Sequence, residues 1–201
     1  MSNDAASLAS RGMLVDPGDH FKGRFEVERK YRVDNLSSIR GKLEELGAVA
    51  FTLGNREHDI FFDHPDRRLE RNNQHQSLRA MTPSGRVLWI SKGPGPDECI
   101  AMDLNDLDKA SKMLVSIGFV EVMTLSKDRD IYFLGEDLHV TLDHVAGLGF
   151  FVELAGMTDD QAQLGHLGEK VRQAASSLGL GRDQLQDQSY RTMLSNAAVQ
   201  A

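Results

Sequence analysis

Shifted by 71 positions, residues 35–62 (NLSSIRGKLEELGAVAF…NREHDIFF) fall on residues 106–133 (DLDKASKMLVSIGFVEV…SKDRDIYF) without a gap. Leu36 meets Leu107, Gly47 meets Gly118, Asp59 meets Asp130, Ile60 meets Ile131 and Phe62 meets Phe133. Each copy reads as strand, helix, glycine cap, strand. Leu36, Ile39, Leu43 and Leu46 keep helical spacing in the first copy, and Leu107, Ala110, Met113, Leu114 and Ile117 in the second. Glycine just past such a run ends a helix at the least conformational cost. A repeat of this length, with the same order of elements, predicts two halves built alike with their helices on the outside of a sheet.

Around the helices the chain alternates with period 2. GRFEVERKYRV (23–33) puts Phe25, Val27, Arg29, Tyr31 and Val33 on one face and Glu26, Glu28, Lys30 and Arg32 on the other. Further strands are predicted at 58–63, 76–81, 86–93, 129–135, 138–145 and 149–156, separated by the turn signals TPSG, GPGPDE, GED and AGLG. So many strands joined by short hairpins predict an α+β chain, its antiparallel sheet closed or nearly closed into a β-barrel. Residues 22–201 read as one domain, with halves at about 24–98 and 99–156 and C-terminal helices over about 159–198, split at Gly179–Gly181. Residues 1–21 read as a disordered N-terminal extension without the apolar core of a signal peptide.

Composition narrows the partners. A net charge of −7 over 201 residues lacks the basic footprint of a nucleic-acid binder, yet leaves room for a local anion pocket. No apolar run has the length of a membrane span. Cys99 is the single cysteine, so no internal disulfide can form, which fits the cytoplasm; it reads as a small apolar packing residue. Nothing in the sequence specifies an interface, and homodimerisation stays open.

Charged residues recur at alternate positions on strand after strand. Lys127 and Arg129 alternate in SKDRDIYF, with Arg56 and His58 in the equivalent places of the first copy. Arg79 is the one cation of QSLRAM, Lys92 closes RVLWISK, and Asp143 and Glu153 sit inside apolar strands. One such strand would be a solvated face. With the cations in register and the helices covering the opposite face, a polar interior is the better reading. Burying both signs is costly unless something compensates, and a divalent cation on the carboxylates with phosphates on the cations would do so.

FEVERKY carries the Glu-x-Glu-x-Lys signature and resembles the opening of the CYTH superfamily, the triphosphate tunnel metalloenzymes. HDIFFDHP, SLRAM, WISKGPG, IGFVEV, LSKDRDIYF, VTLDHVAGLGFFVEL and QSYRTML continue the likeness from residue 24 to 195. The combination of KGPG, SKDR, LDHVAGLGFFVEL and SY is most similar to the class IV adenylyl cyclase branch. The resemblance implies that Glu26, Glu28 and Glu153 hold Mg²⁺ or Mn²⁺. It implies that Lys30, Arg79, Lys92, Lys127 and Arg129 contact a triphosphate, and that Asp143 lies at the nucleotide or metal end. Glu28, Lys30 and Asp143 would then be catalytic. His58 reads equally as a base contact or a polar wall residue.

The chain also departs from the family pattern. Met81 stands where a phosphate-binding arginine is usual, Asp103 is the only acid left at an inward-type position of ECIAMDLND, and Ala155 stands where a second acid is common. His64 and His144 read as surface or turn residues and Trp89 as wall or core. Ser189 and Tyr190 fit a tunnel seal or helix packing equally. The leading expectation is a metal-dependent cyclase turning ATP into cyclic AMP and pyrophosphate. A triphosphatase acting on tripolyphosphate, thiamine triphosphate or a nucleotide comes second. A non-catalytic polyphosphate binder and a lyase or transferase with an altered substrate follow.

Overall fold

The computed structural model describes residues 23–200, and the extension read at 1–21 lies outside them. Nine strands form one sheet: β1 Phe25–Val33, β2 Val49–Asp63, β3 His75–Thr82, β4 Val87–Lys92, β5 Cys99–Leu104, β6 Val120–Leu134, β7 Leu138–Val145, β8 Gly149–Thr158 and β9 Leu185–Gln186. Among the described residues five α-helices accompany it: α1 Ser37–Glu45, α2 Arg68–Arg71, α3 Leu107–Ser116, α4 Leu164–Ser177 and α5 Tyr190–Gln200. The spatial order is β5-β4-β3-β2-β6-β7-β8-β1-β9, and every pair is antiparallel. The full barrel closure entertained from sequence is not formed by a continuous ladder. Its two sides are tied at one place, where an isolated bridge joins Phe25 to Glu98. Glu26 N–H donates to the Asp97 carbonyl (2.7 Å) and Cys99 N–H to that of Arg24 (3.0 Å).

The duplicated helices end as the sequence implies, at Gly47 (φ 72°) and Gly118 (φ 97°), a backbone region that favours glycine. Asp106 caps α3 by accepting from Lys109 N–H at 2.9 Å. The apolar stripe of α1, through Ile39 and Leu43, joins α4, through Leu167 and Val171, over the outer side chains of the sheet: Tyr31, Val33, Val140 and Leu154. At the other half Leu114 of α3 covers Phe62 and Leu78. Apolar burial is thus spent on the outer face. That leaves the inner face free to carry charge.

The central pair β2–β6 corrects one expectation. Directly opposed residues of an antiparallel pair share a face, and the residue opposed to Lys127 is Glu57, not its repeat partner Arg56. The register slips at Ala50/Thr52, at Thr52/Asn55 and again at Phe61/Phe62, so the repeat that holds through the helices is one residue out of phase in the strands. Arg56 and His58 therefore point outward, where Arg56 pairs with Asp128 (2.9 Å) and His58 Nδ1 lies 2.9 Å from Ser126 Oγ. Their neighbours Glu57 and Asp59 point in and are buried. A second difference is β9, in a stretch read as part of the second C-terminal helix: it pairs with Lys30 and Tyr31 of β1. Among the described residues no helix is long and apolar enough to cross a membrane.

Candidate active site

Alternate residues of one strand share a face, so β1 presents Glu26, Glu28 and Lys30 together, and Lys30 is opposed to Glu153 of β8. With Arg79 of β3, Lys92 of β4, and Lys127 and Arg129 of β6, they line one cavity of about 160 Å³. Asp59, His75, Thr141 and the start of α5 complete its wall. A second cavity of about 490 Å³ shares Glu26, Glu28, Lys30 and Lys92 and is bounded by residues 96–99 and 185–189, beside the single-bridge tie.

The pairings fall into two groups. On one side Arg79 donates to both oxygens of Asp59 (2.6 and 2.9 Å), a bidentate fork. Arg79 Nη1 and Lys127 Nζ each lie 3.0 Å from Glu57 Oε2. That oxygen has no aligned hydrogen bond, so these two contacts are Coulombic. On the other side Arg129 grips Asp143 through two nitrogens and Glu153 at 2.5 Å. Lys30 lies 3.3 Å from Glu153, with its ammonium 4.1 Å from the centroid of the Tyr190 ring. Lys92 bonds Glu26 (2.5 Å) and approaches Glu28 (3.4 Å).

Burial alone would raise every one of these carboxyl pKa values. For Glu57, Arg79, Lys127 and Arg129 overwhelm it, and the group is held far below the usual carboxylate range. Lys30 and Arg129 do the same for Glu153, and Lys92 does so for Glu26. Glu28 is the exception: burial and the neighbouring Glu153 push its pKa up, with Glu26 adding to the rise. The β1 end of the cavity therefore crowds Glu26, Glu28 and Glu153 closely enough for Glu28 to feel the other two.

Glu26, Glu28, Glu153, Lys30, Arg79, Lys92, Lys127 and Arg129 all reach this cavity, whereas Arg56 and His58 do not. Asp143 stands behind it: fully buried, it accepts from Arg129 and from the Tyr190 hydroxyl (2.8 Å) and does not line the cavity. Met81 and Ala155 face inward at apolar points, whereas Asp103 is at the exposed rim, 2.7 Å from Arg86. Cys99 packs with Met81, Leu88 and Ile90, and its thiol is pushed up to about 12 by burial and the adjacent Glu26. Glu57, Asp59, His75 and Thr141 were missed. For Glu57 and Asp59 the signal was present but was placed on the wrong face by the repeat.

His75 gives a pH dependence. Burial, then the charges of Arg191 and Lys92, push its pKa down to about 4. In the unfolded chain it titrates near 6.5, so between those values the unfolded state binds the proton and the fold does not. Stability should fall as pH is lowered from about 6.5 to about 4, and His75→Gln should flatten that part of the profile. Urea titrations of both proteins across the range check it; an unchanged slope in the variant would contradict the assignment.

The CYTH domain family model matches residues 24–190. The chain belongs to the CYTH family. Among its CYTH relatives, an adenylate cyclase CyaB of Aeromonas hydrophila is 44% identical over 174 residues, which cover 87% of this chain and 91% of that protein. A crystal structure of a candidate adenylate cyclase from Vibrio parahaemolyticus superposes with a TM-score of 0.83 at 36% identity, covering 87% of this chain and 99% of the other. A Hippeastrum protein, described as a candidate adenylyl cyclase with a dominant triphosphatase activity, shares the fold at a TM-score of 0.61 and 12% identity, over 87% of this chain and 96% of that one. At that identity the likeness is one of fold alone.

Proposed function

We propose that this CYTH chain is a cytoplasmic phosphorus–oxygen lyase of the adenylyl cyclase type, which converts ATP into cyclic AMP and pyrophosphate. The observation that carries the reading is the charge of one cavity wall, where six cations, including Arg191, face four carboxylates. A nucleoside triphosphate brings about four negative charges and a divalent cation removes about two of them, so such a complex complements that wall. The reaction is an in-line displacement: the ribose 3′-hydroxyl gives its proton to water, its oxygen bonds to the α-phosphorus, the bond from that phosphorus to the α,β-bridging oxygen breaks, and pyrophosphate carries off the electron pair. Lys30, Arg79, Lys92, Lys127 and Arg129 would hold the polyphosphate and neutralise the charge gathering on its leaving end. Tyr190 and Asp143 fix the orientation of Lys30 and Arg129.

Among the described residues no three acidic, histidine or cysteine side chains already converge on one point. The chemistry of the β1 end nonetheless fits a hard cation. Glu28 is under like-charge pressure from Glu153 and Glu26, and the buried hydroxyl of Thr141, opposed to Glu153, has no protein partner. Glu26, Glu28 and Glu153 would hold Mg²⁺ or Mn²⁺ there, and the ion would polarise a phosphoryl oxygen and offset charge on the polyphosphate. The same cations would serve a triphosphatase, which differs in having water in line with the terminal phosphorus.

Lys92→Ala tests the phosphate assignment. Calorimetry should show ATP and tripolyphosphate bound more weakly by about 1.5–3 kcal/mol, the worth of a charge-assisted contact, with adenosine affinity unchanged. Equal losses for ATP and adenosine would move Lys92 to the base end or make it purely structural.

A further inference from the structure

Five of the cations lining the cavity already lie against buried or half-buried carboxylates: Arg79 on Asp59, Lys127 on Glu57, Arg129 and Lys30 on Glu153, Lys92 on Glu26. A phosphate that reaches any of them shares the cation with that carboxylate. Arg191 stands apart. It lines the same cavity, its side chain is only 17% exposed, and its acidic partner among the described residues is Glu70 of α2, 3.8 Å away and 53% exposed. An ion pair that long and that hydrated contributes almost nothing.

The backbone that carries Arg191 is well held. Tyr190, the residue before it, donates its hydroxyl to Asp143, stacks edge-on against Phe151 with ring centroids 5.0 Å apart and lies under the Lys30 ammonium. Ser189 Oγ accepts from Thr192 N–H at 3.1 Å and closes the first turn of α5. Met193, one turn on, is buried with Phe61, Leu125 and Phe151. The first turn of α5 thus brings a nearly buried guanidinium to the cavity on a rigid support, beside His75, whose position on β3 is opposed to Lys92. Glu70 is held in place from the other side, since Asp63 accepts from the backbone N–H groups of Leu69 and Glu70.

We propose that Arg191 is a polyphosphate-binding residue. Its guanidinium exchanges the distant carboxylate of Glu70 for a phosphate oxygen of the bound triphosphate, and so ties α5 to the ligand. The inference deepens the reading of this cavity as a triphosphate site and rests on it for the class of ligand.

The test uses tripolyphosphate as the calorimetric probe and ATP for kinetics, with the full chain and Arg191→Gln, Arg191→Lys and Glu70→Gln. Loss of one charge-assisted contact should weaken tripolyphosphate binding by about tenfold or more in Arg191→Gln. KM for ATP should rise by a similar factor, adenosine binding should stay as it was, and Arg191→Lys should recover part of the loss. Glu70→Gln should bind tripolyphosphate as tightly as the parent or more tightly. Parent-like tripolyphosphate affinity in Arg191→Gln would overturn this inference alone, as would weakened affinity in Glu70→Gln. A parent protein that binds neither tripolyphosphate nor ATP would overturn it together with the proposed function.

Discussion

Replacing Glu57 by alanine should lower the stability of the fold by about 3–5 kcal/mol, the loss expected when one member of a buried ionic network is removed and its partners are left without compensation. Glu57 is fully buried, lies 3.0 Å from both Arg79 and Lys127 and 4.0 Å from Arg129, and accepts from Asn55 Nδ2 at 3.0 Å. Its removal leaves three cations sharing Asp59, Asp143 and Glu153. Because the folded-state pKa of Glu57 is depressed, its contribution is present above the unfolded carboxyl value of about 4.3 and is lost as pH falls below it. Glu57→Gln keeps the shape and removes the charge. It should also destabilise, and tripolyphosphate should raise its melting temperature more than that of the parent, since the phosphates replace the missing anion. Urea unfolding and thermal shift measure both effects. A loss below about 1 kcal/mol would mean that the three cations are not held by this carboxylate.

Glu28→Gln should separate stability from activity. The fold penalises the charged form of this carboxyl, since burial and then Glu153 raise its pKa. For a carboxylate with a raised folded-state pKa, the favourable contribution is present at low pH and is lost as pH rises through that pKa. At neutral pH an amide should therefore leave the ligand-free protein as stable as the parent or more so. The same change removes a candidate cation ligand, and metal-dependent turnover should fall by at least about 10²-fold, the scale of losing one electrostatic contributor to a charged transition state. A variant that is more stable and also fully active would show that Glu28 serves neither the cation nor the reaction.

Most of the charged wall was legible in the sequence because period-2 alternation is a local property: Glu26, Glu28 and Lys30 share a face whatever the sheet does around them. Arg79, Lys92 and Glu153 could be singled out because an ionisable residue in an apolar strand has few explanations. Glu57 and Asp59 were not found. A gap-free repeat carries helix caps such as Gly47 and Gly118 faithfully, but a register slip at residues 50–55 changes which side chains face inward without leaving a gap in the sequence. Asp143 was visible as a charge, yet its place behind Arg129 depends on Tyr190, 47 residues away. Closure of the sheet was hardest to read. It turns on one bridge between Phe25 and Glu98, formed by a loop whose turn residues specify a bend but no partner.

The phosphorus that is attacked decides between the two reactions. Purified protein incubated with ATP and Mn²⁺ or Mg²⁺, its products resolved by chromatography alongside a pyrophosphate assay, measures this directly. Cyclic AMP and pyrophosphate in equal amounts, with little inorganic phosphate and with turnover lost in Glu28→Gln, is the result that a cyclase site built on Glu28 requires. ADP with inorganic phosphate would contradict it and assign the cavity to a triphosphatase, and tight ATP binding without turnover would make it a binding site alone.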